Sequence, residues 1–210
     1  MIKFFSKEKF GFLKYLLSHP MDGFYELRRF DKGSLPLALL IVAAFSLCFS
    51  MNRLLAGFVV NDVDPLTVNS LREMGSIFLF YFLFCIGNWS VTCLMEGEGR
   101  MKDIMTATGY ALLPLVLAYI PATIVSQFVA ANEEAFYGMI LFVGIAWSLI
   151  LVLLGIMTVH NYTLGKTLVT LILTFVAMLI IIFVALLLFS LVSQLYGFAY
   201  SIYTELLFRG

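Results

Sequence analysis

Five long runs of apolar residues follow one another along the chain, separated by short polar stretches. The runs cover residues 34–52, 75–95, 104–129, 136–159 and 167–193. About 20 mainly apolar residues are enough for an α-helix to cross the hydrocarbon core of a bilayer. The pattern therefore predicts an all-α, polytopic membrane protein whose fold is a bundle of five transmembrane helices.

The segment before the first run mixes aromatic and basic side chains. Aromatic residues flanked by cations suit a helix that lies in the lipid headgroup layer. We therefore expect residues 1–33 to form an amphipathic interfacial segment, which anchors the chain or docks a cytoplasmic partner. Residues 34–210 form the membrane domain and end in a short aromatic tail.

Basic residues are distributed unevenly between the two sides that five crossings define. Ten Lys or Arg residues lie before the first run or after the second and fourth runs, against three on the opposite side. Because Lys and Arg are retained on the cytoplasmic side during insertion, this predicts a cytoplasmic N-terminus and a C-terminus outside. The candidate contacts for a cytoplasmic partner or for lipid headgroups share the cytoplasmic side: Phe24, Tyr25, Arg28, Arg29, His160 and Lys166.

Composition agrees with residence in a membrane. The 210-residue chain is 62% hydrophobic, and its 13 basic residues balance 13 acidic ones. We find no basic stripe of the kind that binds nucleic acid. Cys48, Cys85 and Cys93 all lie in apolar runs, where a free thiol behaves as a small hydrophobe.

No pattern in the chain indicates catalysis or metal binding. His19 and His160 are the only histidines, too few for a histidine-rich metal cluster. Glu133-Glu134 is similar to the glutamate pair of CAAX-type membrane proteases, but Gly138 stands where those proteins carry arginine. Gly165-Lys166-Thr167 is similar to the end of a phosphate-binding loop, yet His160 occupies the place of its first glycine. We expect a non-enzymatic protein without metal or cofactor.

The second and third runs carry polar and helix-breaking residues at membrane depth. Asn88 and Trp89 lie in the second run, and Pro114, Pro121 and Gln127 lie in the third. Each proline lacks a backbone N–H, so the carbonyl it frees must find a partner in a neighbouring helix or in water. We expect the third span to be bent and central, with Asn88 bonded between helices. A polar cavity beside the bend is the functional alternative to plain packing.

The sequence Gly109-Tyr110-Ala111-Leu112-Leu113-Pro114 resembles the Gly-Tyr-x-Leu-x-Pro signature of the Yip family, the Ypt/Rab-interacting membrane proteins. Asn88-Trp89 and the short loop Glu96-Gly97-Glu98-Gly99-Arg100 are similar to its bacterial branch, and the likeness extends from about Leu17 to the end. The resemblance implies five spans with the termini on opposite sides, the topology that the basic residues also predict. Its signature positions in this chain are Gly109, Tyr110, Leu112 and Pro114.

The resemblance also implies a role. Eukaryotic members use a long cytosolic head with Rab-type GTPases, but about 33 residues precede the first span here, so that role is not carried across. Bacterial relatives are often encoded beside carbohydrate ABC importers, which implies an accessory link.

We expect the protein to be an accessory or scaffold subunit in the bacterial plasma membrane. Its expected partners are the lipid bilayer and ABC permease subunits, and a homo-oligomer is a further expected form. The alternatives are a passive solute or lipid conduit lined by Asn88 and Tyr110, and a membrane-shaping protein that wedges its N-terminal segment into one leaflet.

Overall fold

The computed structural model describes residues 7–30, 32–61, 63–130 and 132–208. Within these residues the chain consists of helices joined by short turns, and no β-strand occurs. The helices are α1 (Lys7–Ser18), α2 (Pro20–Arg29), α3 (Leu35–Leu55), α4 (Ser70–Leu94), α5 (Met101–Ala111), α6 (Leu113–Val125), α7 (Glu134–His160) and α8 (Leu164–Phe208). The all-α prediction is confirmed.

Five segments of the described chain are long and apolar enough to cross a membrane. They are α3, α4, the pair α5–α6, α7 and α8, and each begins within five residues of a predicted run. The number and order of the spans are therefore as predicted. The cytoplasmic position of the N-terminus stays a prediction.

The third span is interrupted at Leu112, where α5 ends and α6 begins. Pro114 lies in the first turn of α6, where its missing N–H does no harm, and it cannot continue α5. The carbonyl of Ala111 is left without its helical donor and accepts a hydrogen bond from Ser148 Oγ of α7 at 2.7 Å. Pro121 lies inside α6, which runs through it. A neighbouring helix thus supplies the missing donor beside Pro114.

Alternate spans run in opposite directions, so the loops collect at two ends of the bundle. At the end that we name the cap end, α1 packs on α2, α2 contacts Glu98, and residues 95–99 lie beside residues 160–162. At the opposite, distal end, residues 56–61 lie beside residues 126–130, and the Gly57 N–H donates to Ser126 Oγ at 3.1 Å.

The helices α1 and α2 share the hydrophobic core of the bundle. Leu16 and Phe24 are fully buried, the latter against Gly155 of α7. The opposite side of α2 carries Met21 and Tyr25, which are 56% and 51% exposed. The segment is therefore docked on the spans, and its depth relative to the lipid headgroups stays a prediction.

The last helix is much longer than a membrane crossing. α8 has 45 residues and a length of about 67 Å at 1.5 Å per residue. Only its first part packs on α4, through the buried side chains of Thr167, Thr170, Thr174 and Met178. The predicted run ended at residue 193 with a separate aromatic tail, whereas the helix continues to Phe208 because no proline interrupts it. Residues 182–203 are all exposed.

Candidate functional site

A polar cleft opens at the cap end between α2, the loop after α4 and the last turn of α7. Its volume is about 710 Å³, within the range of roughly 300–1,000 Å³ typical of ligand sites. We name it the cap cleft, and its polar walls include Asp22, Tyr25, Arg28, Arg29, Glu98 and Asn161. Three of these, Tyr25, Arg28 and Arg29, are among the partner or headgroup contacts proposed from the sequence.

Arg28 connects α2 to the other wall of the cleft. Its guanidinium forms an ion pair with Glu98 and donates to the carbonyl of Thr158 at 3.4 Å. The Arg28 side chain is 28% exposed and that of Glu98 57%, so the pair contributes at most about 1 kcal/mol to stability. Its main effect is positional, because it holds two opposite charges at fixed places on facing walls.

Two further charges line the cap cleft without a salt bridge of their own. Within the described residues neither Asp22 nor Arg29 has an ion-pair partner. Both residues are exposed on the outer side of α2. The cleft therefore presents one unpaired acid and one unpaired base to whatever enters it.

The loop between α4 and α5 lies so close to α7 that two of its residues must be glycine. A Cβ on Gly97 would lie 2.6 Å from His160 Nδ1, and one on Gly99 would lie 2.7 Å from Cε1 of the same ring. With no side chain in the way, the Gly99 N–H donates to His160 Nδ1 at 3.2 Å. This close approach brings Glu98, which stands between the glycines, beside Arg28.

His160 is buried beside the cleft and holds the loop between α4 and α5. Only 1% of its surface is exposed. Since Nδ1 accepts from Gly99, the neutral ring carries its proton on Nε2. Nε2 has no hydrogen-bond partner within the described residues. The ring stacks on Tyr162 with centroids 5.3 Å apart, so His160 positions the loop and does not itself line the cleft.

Tyr162 joins the start of α8 to the loop after α4. Its hydroxyl donates to the carbonyl of Met95 at 3.0 Å, and Lys166 Nζ lies 4.3 Å from its ring centroid. Burial raises the pKa of the Tyr162 hydroxyl, with Glu96 and Cys93 adding to the shift. The hydroxyl therefore stays protonated and remains a donor.

Left-handed residues end α4 and α7 beside the cleft. Glu96 has φ 58° and Asn161 has φ 56°. After the turn at Glu96, the Gly97 N–H donates to the carbonyl of Thr92 at 2.8 Å, and Tyr162 closes α7 in the same way. Such closures are the usual C-terminal helix caps, and asparagine is one of the few side chains that favours them. These turns redirect the chain sharply after α4 and after α7, and the cleft forms beside them.

The signature residues lie where α3 meets α5, away from the cap cleft. A Cβ on Gly109 would lie 2.8 Å from Ala38 Cβ, so glycine lets the two helices touch. Tyr110 is fully buried, and its hydroxyl accepts the N–H of Ser34, the residue before α3, at 2.9 Å. The other two signature residues form the junction between α5 and α6. The signature therefore builds the bundle.

The remaining polar residues proposed from the sequence lie in different places. Asn88 is fully buried and donates from Nδ2 to Thr174 Oγ1 of α8 at 3.1 Å. Trp89 faces outward and is 44% exposed. Gln127 lies at the distal end, where its side chain donates to the carbonyl of Leu55. These residues connect helices or face the surroundings and do not form one site.

Sequence reasoning did not select Asp22, Glu98 or Asn161 as cleft residues. Two signals point to Glu98 and Asn161 in retrospect, whereas none points to Asp22. Alternating glycines in a five-residue loop indicate a close backbone contact, and they single out the residue between them. An asparagine directly after an apolar run indicates a left-handed cap.

The model of one protein family, described as the Yip1 domain, matches residues 14–186. The match covers more than half of the 210 residues and includes every wall of the cap cleft. No curated protein and no solved structure matches the chain. The family resemblance stated from the signature is thus confirmed, and the assignment to a bacterial branch stays a prediction. The chain belongs to the Yip1 domain family, with five helices that can span a membrane.

Proposed function

We propose that this protein is a non-enzymatic membrane scaffold whose cap cleft binds a segment of another membrane protein. The observation that carries the proposal is the cleft itself. Three separate parts of the fold form it, and the Arg28–Glu98 ion pair connects two of its walls. Membership of the Yip1 domain family fits a non-enzymatic membrane protein.

The side chains that line the cap cleft are those that protein interfaces favour. Arg29, Tyr25 and Met21 lie on its α2 wall, and arginine, tyrosine and methionine are enriched at interfaces. Asp22 adds an opposite charge on the same wall. The partner segment we expect therefore carries an acidic residue for Arg29, a basic residue for Asp22 and an apolar side chain between them.

The packing of the bundle favours a scaffold over the two alternatives. A conduit requires Asn88 and Tyr110 to face a wet cavity, whereas both are fully buried and bonded to neighbouring helices. A wedge in one leaflet is less favoured because Leu16 and Phe24 are turned into the core, which leaves Met21, Tyr25 and Phe30 as the large exposed side chains of the α2 region.

A permease subunit of a carbohydrate ABC importer is the partner that the bacterial resemblance implies. A mixed-charge cleft suits a short cytoplasmic loop of such a subunit, because these loops carry the basic residues that orient membrane proteins. We propose it as the first partner to test.

A photo-crosslinking amino acid in place of Tyr25 tests the scaffold proposal in native membranes. Tyr25 is 51% exposed and lines the cleft, whereas Tyr196 on α8 is 72% exposed and lies outside it. We expect a discrete protein adduct from position 25, identified by mass spectrometry as a membrane protein, and no such adduct from position 196.

A charge reversal in the cleft provides the matched control. Arg29→Glu should reduce the yield of the adduct at least several-fold, since it places like charge opposite the acidic residue of the partner. Arg72→Glu reverses an exposed charge at the distal end and should leave the yield unchanged. Equal yields from both variants, or adducts with lipid alone at position 25, would contradict the scaffold proposal.

A further inference from the structure

A second cavity lies within the distal half of the bundle and is mainly apolar. Its volume is about 610 Å³, and its walls come from all five spans. Aromatic side chains form much of its lining: Phe45, Phe49, Phe80, Phe84 and Phe175. We name this cavity the distal groove.

The length of the groove matches one leaflet of a bilayer. Along α4 its lining runs from Glu73 to Phe84, which is about 16 Å at 1.5 Å per residue. The hydrocarbon core of a bilayer is about 30 Å thick, so one leaflet contributes about 15 Å. Because α3 has 21 residues, its length of about 31 Å also matches the core. Arg53, near the distal end of α3, therefore marks the headgroup level.

One acid and one base stand at this headgroup level. Arg53 Nε lies 3.0 Å from Glu73 Oε1, and their side chains are 38% and 14% exposed. Because the approach of Nε to Oε1 lacks hydrogen-bond alignment, Arg53 Nε is a buried atom without a hydrogen-bond partner within the described residues. The other carboxylate oxygen, Glu73 Oε2, is also buried there without a partner. Buried polar atoms ordinarily have such partners. The head of the groove thus carries one carboxylate oxygen without a partner beside a guanidinium side chain that is 38% exposed.

The groove is open sideways to the surroundings of the bundle. Its rim residues Phe80, Leu149 and Phe175 are 57%, 63% and 53% exposed. The opening exists because α8 separates from α4 after Met178 and no longer covers the space between α4 and α7. An acyl chain can therefore enter from the leaflet without crossing a polar barrier.

We propose that the distal groove binds one zwitterionic phospholipid whose headgroup carries a primary ammonium, as phosphatidylethanolamine does. The acyl chain fills the aromatic-lined groove, the phosphate accepts from Arg53, and the ammonium donates to Glu73 Oε2. Phosphatidylcholine lacks an N–H to donate, and phosphatidylglycerol lacks a cation for Glu73. The arrangement therefore favours phosphatidylethanolamine over both.

Lipid analysis of the purified full-length protein tests this site. The protein is reconstituted in nanodiscs that contain equal parts of the three lipids, extracted in mild detergent, and its retained lipids are quantified by mass spectrometry. We expect about fivefold or greater enrichment of phosphatidylethanolamine. A phosphatidylethanolamine with a photoactivatable acyl chain should crosslink to residues 76–84 or 145–152.

Two matched variants assign the selectivity to its residues. Glu73→Gln should abolish the enrichment, whereas Glu134→Gln, which neutralises an exposed acid at the distal start of α7, should preserve it. Circular dichroism and a monodisperse elution profile verify that both variants fold. The proposal is overturned by no enrichment in the wild type, by enrichment of phosphatidylglycerol instead, by equal enrichment in the two variants, or by crosslinks confined to residues 182–203 of α8, which lie outside the groove.

Discussion

Removal of the Tyr110 hydroxyl tests how the first span is held against the third. The hydroxyl accepts the Ser34 N–H at 2.9 Å, and the two residues are 0% and 4% exposed. A backbone N–H at the start of a helix has no partner within the helix, so it depends on such an acceptor. Tyr110→Phe keeps the ring and its packing but leaves this buried donor unsatisfied.

The expected loss of stability follows from two magnitudes. A buried donor left without a partner costs about 1–3 kcal/mol. Single hydrogen bonds between helices of a membrane protein contribute about 0.6 kcal/mol on average and about 1.7 at most. We therefore expect Tyr110→Phe to lower the free energy of unfolding by about 1–2 kcal/mol.

Titration of the purified protein with sodium dodecyl sulfate, followed by tryptophan fluorescence, measures this free energy. Tyr200→Phe removes the same atom from a side chain of α8 that is 58% exposed, and it should leave the free energy of unfolding unchanged. If the two variants unfold alike, the hydroxyl does not hold α3 and the interpretation of the signature tyrosine is wrong.

Four further substitutions have expected outcomes in the same unfolding assay. Ser148→Ala leaves the Ala111 carbonyl without its donor and should cost about 1–2 kcal/mol. Gly144→Leu overfills a helix contact where even a Cβ overlaps a neighbouring side chain and should cost about 1–3 kcal/mol, whereas Gly138→Leu meets open space and should cost nothing measurable. Glu98→Gln breaks a partly exposed ion pair, so its cost should stay below about 1 kcal/mol and shrink further in high salt.

The sequence was a good guide to the spans because hydrophobic length is a property of each segment alone. The five runs could be counted without knowing what they touch. Pro114 and Pro121 together predicted a bend in the third span from their missing N–H groups, and the interruption lies at Pro114 whereas α6 runs through Pro121. The packing of Gly109 against α3, by contrast, depends on the partner helix, and only the structure reveals it.

The extent of α8 and the assembly of the cap cleft from separate segments were beyond sequence reasoning for physical reasons, although Tyr25, Arg28 and Arg29 of its α2 wall were proposed from the sequence. Exposed aromatic residues after residue 193 are compatible with a belt, a tail or a helix, and only the absence of a helix breaker favours the last. Asp22 and Arg29 lie on α2, whereas Glu98 comes from a distant part of the chain, and ordinary surface charges look the same as these in a sequence. Their proximity is a consequence of the tertiary fold.

The orientation of the cap cleft is the claim on which the proposed function rests, and cysteine labelling tests it most directly. In a variant without Cys48, Cys85 and Cys93, a single cysteine replaces either Tyr25 in the cleft or Leu66 in the distal loop, side chains that are 51% and 94% exposed. With a thiol reagent that cannot cross membranes, intact cells should label position 66 at once and position 25 only after permeabilisation. Labelling of position 25 in intact cells would place the cleft outside and contradict the account.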